Sequence, residues 1–80
     1  MAHFVYILEC ADKTLYAGST TDLEKRLRQH NGAKAGAHYT KIRRPVVLKY
    51  FERFRSLAKA RAREGELKRL TRKQKLALIR

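Results

Sequence analysis

Eighty residues, 44% of them apolar, suffice for one domain spanning 1–80 and are too few for two. Twenty lysines and arginines against seven acids leave a net charge of +13, and residues 51–80 alone hold eleven basic and three acidic side chains; a field of this sign attracts polyanions. The lone Cys10 excludes an internal disulfide, and the three histidines (His3, His30, His38) lack metal-ligand spacing.

No run of ~18 apolar residues offers a membrane span, and the N-terminus lacks the pattern of a secretory leader. The expectation is a cytoplasmic protein away from the membrane.

Along the chain, Phe4-Val5-Tyr6-Ile7-Leu8 is a continuous β-favouring run and predicts a strand buried on both faces. Cys10-Ala11-Asp12-Lys13 breaks it, and Leu15-Tyr16-Ala17-Gly18 predicts the second arm of a hairpin. Thr21-Asp22-Leu23-Glu24 fits a capping box with Thr21 as the cap, opening a helix that stops at Asn31-Gly32. Residues 32–44 predict an ordered loop or a short irregular helix. Val46 to Phe51 predicts a third strand. Ser56 is the N-cap expected for a second helix running to about Leu70. Thr71-Arg72-Lys73-Gln74 is another capping box, and the short helix after it has Leu76, Leu78 and Ile79 as its apolar side. The order is ββαβαα, an α+β fold whose natural architecture is a small antiparallel or mixed three-stranded sheet covered by helices.

Several polar residues fall where apolar ones belong. On the first helix, Leu23 and Leu27 mark the buried stripe, and Arg26 and His30 flank it. Arg26 therefore either snorkels to water or meets an anion, a carbonyl or a ligand. On the second helix Leu57, Ala60 and Leu67 mark the apolar arc and Glu64 falls within it, which suits either an internal salt bridge or a site. Tyr6 and Tyr16 lie on the two hairpin arms, as core aromatics or as a functional pair. Together these side chains suit phosphodiester hydrolysis. An arginine stabilises the charge of the transition state, a carboxylate holds one Mg²⁺, and a tyrosine hydroxyl activates water. The basic surface around them would hold the rest of a strand.

At these residues the chain resembles the GIY-YIG nucleases. Val5-Tyr6-Ile7 and Tyr16-Ala17-Gly18 resemble the two halves of the motif, and Leu23-x-x-Arg26-Leu27-x-x-His30 resembles the helix carrying the family's arginine. His38-Tyr39-Thr40, Arg44-Pro45-Val46, Arg63-Glu64 and the tail from Leu70 to Leu76 look like those of small stand-alone bacterial members. The resemblance implies a GIY-YIG-like fold and a metal-dependent endonuclease, acting on DNA more than RNA, single-stranded or structured, in repair or recombination. It implies Tyr6 helping to activate water, Tyr16 orienting water or substrate, and Arg26 stabilising the transition state. Glu64 is the implied single ligand of one Mg²⁺ or Mn²⁺ ion, Gly18 allows close packing, and His30 stands at an active-site position.

Lys41, Arg43, Arg44, Arg63, Lys68 and Arg72 are the candidates for nucleic-acid binding. The family's late asparagine has no counterpart here, Gln74 being the amide that follows Glu64. A monomer or weak homodimer is expected. The rival expectation is a non-catalytic nucleic-acid-binding module or an accessory subunit of a repair complex.

Overall fold

Strand β1 (His3–Glu9) lies at the centre of an antiparallel sheet, between β2 (Leu15–Thr20) and β3 (Val47–Phe54). This is the arrangement in a computed structural model, which describes residues 2–32 and 43–79. Helix α1 (Leu23–Asn31) follows the hairpin, and α2 (Leu57–Arg69) and α3 (Arg72–Ile79) follow β3, so among the described residues the α+β order ββαβαα holds; the loop or short helix expected at 32–44 lies mostly outside them.

As expected of a central strand, Val5, Tyr6, Ile7 and Leu8 are all buried. The alternation of β1 divides the core. Val5 and Ile7, with Leu15 and Ala17 of β2, pack against Ala60 and Leu67 of α2 and against Leu76, Leu78 and Ile79 of α3. Tyr6 and Leu8 face the other way, onto Leu23 and Leu27 of α1. Full burial of a side chain such as Ile7 or Leu67 contributes roughly 1.5–3 kcal/mol. The sheet is therefore covered by α1 on one face and by α2 and α3 on the other.

Local chemistry explains the joints. The hairpin turn lacks glycine, and Lys13 takes the left-handed conformation instead (φ 71°). Asp12 secures it by accepting from the backbone N–H and hydroxyl of Thr14. Ser56 caps α2 as expected. At α3 the capping box is reciprocal: the Thr71 hydroxyl accepts from the Gln74 N–H, and the Gln74 side chain accepts from the Thr71 N–H. That commits Gln74 to the helix end.

Three expectations are corrected. The cap of α1 is Asp22, not Thr21; its carboxylate accepts from the Lys25 N–H, and a carboxylate also suits the positive end of the helix. Strand β3 runs three residues beyond Phe51, because the inward Glu52 is satisfied by Arg63 and Tyr50. Leu57 is 47% exposed and leaves the burial on α2 to Ala60 and Leu67.

Candidate active site

Tyr6 sits at the middle of β1, directly opposite Gly18. A Cβ on Gly18 would stand 2.6 Å from the Tyr6 Oη, so the glycine is what lets the ring lie across β2. The Tyr6 hydroxyl lies 3.0 Å from Nε2 of His30 in the buried seam beneath α1. The Arg26 guanidinium lies near enough to act on the same hydroxyl and favour its charged form. Tyr16, two residues before Gly18 and on the same face of β2, packs edge-to-face with the His30 ring, the ring centroids 5.4 Å apart.

His30 is fully buried. Burial lowers its pKa from 6.5 to about 4, and the positive charges of Arg26 and Arg44 add to the effect. The imidazole is therefore neutral near pH 7 and has a nitrogen able to accept a proton. Burial raises the Tyr6 pKa, and Arg26 pulls against that rise without cancelling it. The phenol is accordingly protonated. A guanidinium whose charge acts on a phenol, with that phenol able to donate to a neutral imidazole, forms one polarised chain.

Arg26 also donates to Gln29 Oε1 at 3.0 Å. It lines an open cleft of about 540 Å³ with Ser19, Thr20, Thr21, Asp22, Lys25 and Gln29. Ser19 connects this cleft to the opposite face of the sheet. Paired with Val5, it points towards α2, where its hydroxyl donates to Glu64 Oε1 at 2.6 Å. Lys68, one turn further along α2, holds Glu64 Oε2 at 2.9 Å. Burial raises the Glu64 pKa, but the Ser19 and Lys68 bonds and the charges of Lys68 and Arg61 outweigh it and hold the carboxyl below its usual range. The charge of Glu64 reaches the Tyr6 phenol, and that of Lys68 reaches Tyr16. The site thus straddles β2, which among the described residues is an edge strand.

Tyr6, Tyr16, Gly18, Arg26 and His30 therefore gather on the α1 face, and Glu64 joins them around the edge through Ser19. Ser19 was missed by sequence reasoning. Only its register against Val5 reveals which face its hydroxyl takes. Among the described residues no group of three or more His, Cys, Asp and Glu could hold a metal ion. One carboxylate, Glu64, held at the β2 edge by Ser19, fits a hydrated Mg²⁺ or Mn²⁺, which keeps waters and takes few protein ligands, and does not fit a four-ligand zinc site.

The basic candidates are largely engaged within the fold. Arg43 pairs with Asp12 at 3.0 Å, and Arg44 donates to the His30 carbonyl at 2.6 Å. Arg63 grips Glu52, and Arg72 donates to the Lys13 carbonyl. Lys41 lies outside the described residues, as do His38, Tyr39 and Thr40. Among the described residues, no helix is long and apolar enough to cross a membrane.

Comparison with known proteins gives the family. The family profile of the GIY-YIG catalytic domain matches residues 2–77. A UPF0213 protein of Syntrophus aciditrophicus is 53% identical over 77 residues, 96% of this chain and 88% of the relative. One from Haloquadratum walsbyi is 50% identical over 76 residues, 95% of this chain and 84% of the relative. The solution NMR structure of the UPF0213 protein from Bacillus halodurans aligns with TM-score 0.63 at 42% identity, covering 99% of this chain and 83% of that one. The chain belongs to the GIY-YIG family, within its UPF0213 group of small proteins.

Proposed function

We propose that this protein is an endonuclease that hydrolyses a nucleic-acid phosphodiester at the edge of β2. The observation that supports it most is the buried contact chain from Arg26 through Tyr6 to His30, set beside a carboxylate fixed by Ser19. Arg26 receives the phosphate from the cleft side and stabilises the negative charge that grows on it in the transition state. Water gives a proton to Tyr6 Oη as Tyr6 gives its own to Nε2 of the neutral His30. The hydroxide so formed attacks phosphorus, the phosphorus–oxygen bond to the leaving strand breaks, the departing oxygen takes a proton from solvent water, and His30 releases its proton to solvent. Tyr16 orients the water or the phosphate.

Glu64 is the residue that would hold one Mg²⁺ or Mn²⁺, which when bound supplies Lewis-acid polarisation of the phosphate. Water is the nucleophile, so no 2′-hydroxyl is required and DNA is a competent substrate. So small a chain recognises backbone and shape, which favours single-stranded or structured DNA of the kind that arises in repair and recombination. The net positive charge steers the strand.

One observation favours a second reading, a binding module without turnover: Tyr6 is only 2% exposed, so a water must enter before its hydroxyl can act. The two separate when labelled single-stranded and branched DNA are incubated with Mg²⁺ or Mn²⁺. We expect cutting by the wild type, and losses on the order of 10²–10³-fold in Arg26→Ala and Glu64→Gln with binding kept. Binding without cutting by any of the three, across substrates and both ions, would leave the binding module.

A further inference from the structure

Both oxygens of the Glu64 carboxylate are engaged within the fold, and the two partners differ in kind. Ser19 is a neutral donor from a strand, fixed in place by the sheet. Lys68 is a full positive charge at 2.9 Å from Oε2, on a flexible stem whose side chain is 51% exposed. A carboxylate has about four lone-pair positions, so Ser19 and an ion can share it. Lys68 and a divalent ion cannot share it comfortably. An ion bound at ~2.1 Å from the same oxygen would face the ammonium at close range, and like charges ~4 Å apart repel by ~1 kcal/mol per pair of unit charges even in water.

We propose that Lys68 is a gate on Glu64: it competes with a divalent cation for Oε2, and this competition sets the ion concentration that the site requires. The inference rests on the reading of Glu64 as the residue that holds the ion. The exchange costs little, because the lysine stem can swing its ammonium into water. Its partner Ser19 stays, so the carboxylate keeps its orientation while one cation replaces another. On leaving, the ammonium remains beside the β2 edge, where its charge already reaches Tyr16.

The test is direct binding of Mn²⁺, with no nucleic acid present, followed by the electron paramagnetic resonance of the free ion. Wild type, Lys68→Met, Lys68→Arg, Lys73→Met and Glu64→Gln are compared at one low ionic strength, each checked for its fold by circular dichroism. Lys73 is exposed and one turn or more beyond Lys68 in sequence, so Lys73→Met measures the effect of losing any one surface charge. Lys68→Met should bind Mn²⁺ roughly 5- to 10-fold more tightly than wild type, as expected when a partly exposed ion pair and its repulsion are removed. Lys73→Met should change binding less than about twofold, Lys68→Arg should stay near wild type, and Glu64→Gln should lose binding. If Lys68→Met behaves like Lys73→Met while Glu64→Gln still loses the ion, Glu64 holds the metal and the gate is refuted. If Glu64→Gln binds as wild type does, or no variant binds, the reading of Glu64 fails and the gate fails with it.

Discussion

Protonating His30 would put a positive charge into a fully buried position already bordered by Arg26 and Arg44. Its folded pKa of about 4 lies below the ordinary 6.5, so stability is full above pH 6.5, where both states are neutral. As the pH falls from 6.5 towards about 4, the unfolded chain takes up a proton that the folded chain resists. Stability should drop across that window by up to ~3 kcal/mol and level off below it. Urea midpoints measured across this range for wild type and His30→Gln check it: the variant should lack the slope above pH 5, and equal slopes would show that His30 protonates freely inside the fold. The sequence placed His30 and Arg26 beside the apolar stripe of α1 from helical spacing alone. It did not disclose that one hydroxyl joins them, because the Tyr6 ring reaches both only by crossing Gly18.

At the scale of elements, Asn31 carries a joint that its local sequence disguises. Read along the chain it is a helix stop beside Gly32. In the fold its side chain accepts from the Val46 N–H at 2.6 Å and donates to the Val46 carbonyl at 3.0 Å, tying the end of α1 to the start of β3. Such a clamp depends on residues fifteen apart and has no short-range signature. Asn31→Ala should cost about 2–3 kcal/mol by leaving two backbone groups unpaired. Asn31→Asp, which keeps the acceptor, should cost less, and thermal unfolding of the two variants checks the order. The caps at Ser56 and Thr71 were legible because their bonds span three residues. The length of β3 was not, because the inward Glu52 is paired with Arg63 of α2, eleven residues away.

For the whole molecule, a charge of +13 overstates what a nucleic acid would meet. Arg43, Arg44, Arg63 and Arg72 are spent on internal partners, and Lys68 on Glu64. With extents of 30 × 28 × 19 Å the protein can face only a few phosphates of a duplex strand. Taking ~4 contacts, the logarithm of affinity should fall with the logarithm of salt at a slope near −3.6, roughly a hundredfold loss between 50 and 200 mM. Fluorescence anisotropy against a labelled duplex measures it. A slope steeper than about −8 would show many more contacts than one copy can offer, and a flat response would remove phosphate contacts from the account. Composition alone revealed the sign of this field, while the division between internal and outward charges required the fold.

The bond from Ser19 to Glu64 joins residues 45 positions apart, and this separation matters for a protein made from its N-terminus onwards. A chain that has left the ribosome only as far as β3 holds Tyr6, Tyr16, Arg26 and His30, but its Ser19 has no Glu64 to donate to. The acid is delivered last, with α2, so an unfinished copy attracts nucleic acid without being able to assemble the proposed site.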